Sequence, residues 1–223
     1  MDNLICNNLV VDENGTLIFG GHSTAELINK YASPMYVMDE ARIRYNMRLY
    51  VSAMRKYFGE GAMPLLASKA ASFKQIYRIA ADENMGTDVV SSGEIYTART
   101  AGFPMEKAYF HGNNKTDEDI SFAMDNSVGY FVADNIEELD SIDKEAEKRG
   151  IKQKILLRLT PGIDPHTYEA VATGKVDSKF GSAIATGAAE KITVYALCKK
   201  NIELCGFHCH VGSQVFDSDV YLA

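Results

Sequence analysis

The chain has 223 residues, of which 46% are hydrophobic and 24% charged, the balance of an ordinary globular protein with length for one sizeable core. A net charge of −7 argues against non-specific nucleic-acid binding, which needs a basic surface. No apolar run reaches membrane-spanning length, and MDNLICNNLVVDENG lacks the basic and apolar regions of a secretory signal. Both point to a cytoplasmic protein whose four cysteines, Cys6, Cys198, Cys205 and Cys209, are reduced thiols.

Residues 1–33 read as a separate segment, in which LVVDENGTLIF forms a hairpin turning at Glu13-Asn14-Gly15. Residues 34–223 form the second unit. PMYVMD at 34–39 reads as a short strand, and Ile43, Met47, Tyr50, Met54 and Tyr57 recur at helical steps across 40–57.

A regular alternation follows. Strands are expected at 64–70, 87–91, 108–111, 130–133, 154–160 and 204–211, and helices at about 72–84, 93–101, 116–126, 135–149 and 186–200. Ser72, Thr116 and Asn135 supply helix start signals, and Gly150 sits where a helix ends. Short apolar runs alternating with helices define an α/β fold with a parallel sheet. Periodicity leaves two forms open: an open doubly wound sheet, or a (β/α)8 barrel truncated after about six strands, since a closed barrel needs eight.

Residues 161–182 break the rhythm with a long polar stretch, PGIDPHTYEAVATGKVDSKFGS, of a length that is usually functional or disordered. Thr173-Gly174-Lys175 within it is not a phosphate loop, because Glu169 stands at the first glycine position and Val176 follows the lysine.

Ligands in parallel α/β domains bind at the C-terminal ends of the strands. Those ends carry Lys69, Asp88 with Ser91, His111 with Asn113 and Asn114, Asp134 with Asn135, Arg158 with Thr160, and His210 with Ser213. A lysine closing an apolar strand is costly to bury as a cation, and a desolvated amine is the nucleophile that forms a Schiff base with an aldehyde. Taken alone, Lys69 reads first as an ordinary solvated strand-exit lysine, since strongly perturbed lysines are a minority. His208 and His210 lie two apart and so share a face, with Cys209 on the other. Cys205 and Cys209 splay badly for a tetrahedral zinc site, and a core role for His208 stays open. Gly212-Ser213 offers a hydroxyl and backbone N–H groups suited to a phosphate. Arg158 inside an apolar strand needs an anion, whether structural or ligand-borne.

Together these residues resemble the fold-type III pyridoxal 5'-phosphate (PLP) decarboxylases, in particular the diaminopimelate branch. The matching segments are PMYVMDE, LASKAAS, GTDVVSSGEIYTA, FHGNNKT, LRLTPGIDPHTYEAVATGKVDSKFG and GFHCHVGSQV. The resemblance implies a PLP-binding TIM-type barrel, with residues 1–33 belonging to a second β-domain. It implies that Lys69 holds PLP, His210 stacks on its ring, and Gly212 and Ser213 bind the phosphate. Asp88 and Glu94 would support the lysine and the histidine, Arg158 would lie on the pyridine side, and His111 would line the pocket. The segment 177–181 would be a mobile active-site loop.

The implied reaction is decarboxylation of meso-2,6-diaminopimelate to L-lysine by a homodimer acting on a small diamino acid, with neither nucleic acid, membrane nor metal involved. Sister decarboxylases of arginine, ornithine or carboxynorspermidine, and a non-catalytic PLP-binding barrel, are the alternatives. Ala71 departs from the asparagine usual after the lysine, and Ser68 precedes it. The family's glycine-rich phosphate loop, acidic pyridine partner and catalytic cysteine fall beyond residue 223, since Cys198, Cys205 and Cys209 come too early. These 223 residues alone are therefore expected to be inactive.

Overall fold

A computed structural model of the chain describes residues 6–163, 180–213 and 215–222. They fall into two compact units, 1–62 and 63–223, each described by itself.

The first unit holds an antiparallel sheet of β1 (Leu9–Val11), β2 (Leu17–Phe19) and β3 (His22–Ser23), followed by helices α1 (Thr24–Tyr31) and α2 (Glu40–Phe58). The expected hairpin is present. Asp12 accepts from the backbone of Asn14 and Thr16 at 2.9 and 2.8 Å, and Gly15 takes φ +79°, so an Asx turn with a left-handed glycine closes it. β3 and α1 were not foreseen, although Ser23 caps α1 by accepting from Glu26.

The strand expected at 34–39 does not form. Among the described residues it pairs with no neighbour, Pro34 lacks an N–H, and Asp39 is committed to capping α2 and to Asn8 at 2.9 Å.

The second unit is one parallel sheet with strands in the spatial order β4 (Leu65–Ala67), β5 (Gly86–Val89), β6 (Ala108–Phe110), β7 (Tyr130–Ala133), β8 (Gln153–Thr160) and β10 (Ile202–His208). The unforeseen β9 (Ser182–Ala183) pairs beside β8. Strands run in chain order without the reversal that marks a doubly wound sheet, so the sheet is a singly wound arc of a barrel.

Helices α3 (Lys74–Asp82), α4 (Ser92–Ala101), α5 (Asp117–Asp125), α6 (Ile136–Arg149) and α7 (Ala188–Leu197) connect the strands. The core lies between helices and sheet. Phe110, Phe131, Ile155 and Leu157 point outward from the strands and are fully buried with Ile95, Ile120, Leu139 and Ile142 of the helices. Thr116 and Asp119 form a capping box on α5, while Asn135 and Gly150 cap the two ends of α6.

Ser72, in contrast, does not cap α3. Phe73 occupies that position, and the Ser72 hydroxyl instead hydrogen-bonds the buried Tyr77 hydroxyl at 2.9 Å. Satisfying a buried phenol outweighs a cap on a solvent-accessible helix end.

Candidate active site

A cavity of about 570 Å³ opens at the C-terminal ends of the parallel strands, lined by Lys69, Asp88, His111, Arg158, His208, His210 and Ser213 together with Ala67, Val90, Gly112 and Phe180. Its size falls within the range of about 300–1,000 Å³ common to small-molecule sites.

Lys69 lies in a 3₁₀ turn, Ser68–Ala70, immediately after β4. The strand is thus shorter than the sequence suggests, and Lys69 is exposed to the cavity instead of desolvated within a strand. The turn is fixed through its neighbour. Ser68 is fully buried, its N–H donates to Asp88 Oδ1 at 2.8 Å, and its hydroxyl donates to Glu94 Oε2 at 3.1 Å. Glu94 Oε2 also accepts from the Val90 N–H at 2.6 Å. Asp88 and Glu94 therefore hold the backbone that carries Lys69. Burial raises the Asp88 pKa, partly offset by the Ser68 N–H and by the Lys69 charge.

Also lining the cavity, His111 and His208 meet edge to face with centroids 4.8 Å apart. Burial, then the charges of His208 and nearby cations, lowers His111 to about 3. Burial and Arg158 lower His208 to about 4. His210 is lowered too, first by burial. Both His208 and His210 face the cavity, as their spacing predicts, and among the described residues the buried His208 Nδ1 has no hydrogen-bond partner.

Arg158 projects from β8 with its guanidinium 4.1 Å from the Phe180 ring centroid. The anion it faces is Asp134, whose charge partly offsets the burial that lowers the Arg158 pKa. Asp134 Oδ1 accepts from the Gly181 N–H at 2.5 Å, and among the described residues the buried Asp134 Oδ2 has no partner.

Six of the eight residues singled out from the sequence line this one cavity: Lys69, Asp88, His111, Arg158, His210 and Ser213. Glu94 stands behind Ser68, and Gly212 is buried beside Ser213. Of the expected loop at 177–181, only Phe180 and Gly181 are described; Thr173-Gly174-Lys175 and the rest of that loop lie outside the described residues.

Ser68, Lys115 and Glu138 were missed as site residues, whereas Phe180 falls within the loop expected at 177–181. Ser68 had a signal, a hydroxyl just before the lysine in an otherwise apolar strand. Lys115 and Glu138 are 23 residues apart, and no sequence pattern pairs them.

A singly wound parallel barrel with a lysine, imidazoles and a hydroxyl gathered at its strand ends defines a class of cofactor-binding α/β domain. The chain belongs to the family described as pyridoxal-dependent decarboxylase, pyridoxal binding domain, which matches residues 41–223. It is 44% identical over 208 residues to diaminopimelate decarboxylase of Bacillus methanolicus, covering 93% of this chain and 48% of that protein. It is 39% identical to the same enzyme of Bacillus subtilis (strain 168), covering 93% of this chain and 47% of that one. Among solved structures, diaminopimelate decarboxylase from M. jannaschii in co-complex with L-lysine superposes with a TM-score of 0.84 at 32% identity, covering 95% of this chain and 49% of that one. The chain thus spans about half the length of the curated relatives it matches.

Proposed function

We propose that the full-length protein containing this chain is a PLP-dependent carboxy-lyase that converts meso-2,6-diaminopimelate to L-lysine and CO2. The observation that carries this reading is the convergence of Lys69, His210 and Ser213 on one cavity with Asp88, Arg158 and His111. The names of the relatives and the lysine-bound solved relative support the choice of substrate.

The donor set fits PLP. An amine nucleophile is exposed to the cavity, three imidazoles and a guanidinium line it, and Asp88 is the one carboxylate among the lining residues. Among the described residues the buried His208 Nδ1 has no hydrogen-bond partner, so it is able to bond a polar group of a bound molecule. In this reading Lys69 binds the aldehyde, His210 lies against the ring, and Ser213 with the Gly212 backbone takes the phosphate.

PLP, when bound, supplies the sink for the electron pair left behind as CO2 departs. The chain's own residues orient and protonate. Depressed pKa values keep His111 and His208 uncharged at neutral pH, so they pack and hydrogen-bond without adding charge. Arg158 is the fixed cation, suited to an anionic group on the pyridine side or on the substrate. The Lys69 amine, which lines the cavity, would hold and return the proton at the α-carbon. One C–C bond breaks and one C–H bond forms.

Residues 1–33 belong, in this reading, to a second β-domain and residues 34–223 to the barrel. The enzyme works as a cytoplasmic homodimer on a small diamino acid. A protein limited to these 223 residues does not turn over substrate.

The test is turnover by the full-length protein with PLP. Equal amounts of lysine and CO2 should form from diaminopimelate, with at least a hundredfold preference over arginine, ornithine and carboxynorspermidine. Faster turnover of any of those three would overturn the substrate assignment.

A further inference from the structure

A buried ion pair lies beside the cavity without lining it. The Lys115 and Glu138 side chains are 2% and 4% exposed, and Lys115 Nζ donates to Glu138 Oε1 at 2.7 Å. Its other two N–H groups go to backbone carbonyls, Gly112 O at 2.7 Å and Val132 O at 2.9 Å. The ammonium also sits 5.3 Å from the Phe110 ring centroid. All three of its donors are therefore used.

The acceptors lie on different elements. Gly112 is on the cavity rim next to His111 and takes φ +116°, a conformation that few other residues adopt. Val132 is near the end of β7, and Glu138 is in the first turn of α6. The second Glu138 oxygen accepts from the Asp134 N–H at 3.0 Å. Asp134 in turn grips Gly181 and attracts Arg158. One fastener thus reaches two parts of the cavity lining, the His111–Gly112 rim through Lys115 and Arg158 through Glu138 and Asp134.

Stability alone gives little reason for this arrangement. Desolvating two charges offsets most of their attraction, and a well-packed apolar pair of similar volume is often as stable or more so. Burial draws the Lys115 pKa down, and the oxygens around the ammonium oppose that shift. What an apolar pair cannot do is hold Gly112 O and Val132 O at fixed positions.

We infer that Lys115 and Glu138 are positioning residues for the cofactor pocket, setting the His111–Gly112 rim and the Asp134–Arg158 wall. The inference rests on the PLP reading above. It is tested in the full-length protein with three variants, Lys115→Met, Glu138→Gln and Lys115→Met with Glu138→Leu. Melting temperature is measured without cofactor, PLP affinity by absorbance titration, and the cofactor band is followed against pH.

Lys115→Met alone should melt lower, because it strands Glu138. The double variant should melt higher than Lys115→Met, which strands a buried charge, yet bind PLP at least tenfold more weakly than native and show a displaced pH midpoint of the band. Recovery of affinity and midpoint together with melting temperature would make the pair purely structural and overturn the inference. If the double variant does not fold, Glu138→Gln decides. It leaves one acceptor oxygen where two had held Lys115 and the Asp134 N–H, so PLP affinity should fall at least tenfold; affinity within threefold of native despite lower melting would overturn the inference. Failure of the unaltered protein to bind PLP would instead sink the PLP reading itself.

Discussion

His111, just after β6, and His208, at the end of β10, a strand that is not a neighbour of β6 in the sheet, bring their rings to 4.8 Å between centroids in an edge-to-face contact. Both pKa values fall from 6.5, to about 3 and about 4, chiefly through burial. A histidine depressed on folding takes up a proton on unfolding, so its neutral form contributes stability that is fully present above its unfolded value. That stability is lost as pH falls from about 6.5 toward the folded values, with a slope of up to about 1.4 kcal/mol per pH unit for each ring. Chemical denaturation of the cofactor-free protein between pH 7 and pH 4 should show this loss, and His208→Asn should flatten it. An unchanged slope in that variant would mean His208 is not buried neutral.

The turn that carries Lys69 is anchored by Ser68, through Asp88 at 2.8 Å and Glu94 at 3.1 Å. Ser68→Ala removes the hydroxyl donor but keeps the backbone bond to Asp88. It should cost about 1 kcal/mol of stability, the net worth of one buried hydrogen bond. Urea unfolding measures this. A cost near zero would place the Glu94 carboxylate elsewhere.

Gly129 precedes β7 where the chain passes the Glu106 carbonyl. A Cβ there would lie 2.0 Å from that oxygen and 2.6 Å from its carbon, both backbone atoms. Gly129→Ala should destabilise by about 3 kcal/mol or more, at the upper end of overpacking costs. Gly150→Ala, with φ +63° and open space around it, meets only backbone strain of about 1–2 kcal/mol. Thermal melts of the two variants should keep this order.

The parallel strands and their helices were legible because each side-chain face has a period that sequence displays, as with Phe110, Phe131 and Ile155 outward and Asp88, His111 and Arg158 toward the cavity. Strand order was not, because pairing depends on contacts among residues far apart in sequence. The strand expected at 34–39 failed for that reason: apolar residues supply propensity, but a strand exists only with a partner.

Much of the pocket was readable as polar strand ends. Its supports were not. Lys115, Glu138 and Ser68 are common surface residue types whose burial follows from the fold alone, and Ser72 has the chemistry of a helix cap but serves Tyr77.

The central claim is that Lys69 holds the cofactor. Borohydride reduction of the full-length PLP-loaded protein, followed by peptide mapping, tests it most directly. The account predicts a stable pyridoxyl label on the peptide containing Ser68-Lys69-Ala70, absent in Lys69→Ala. A label on Lys115 or any other lysine, with Lys69 unmodified, would contradict it.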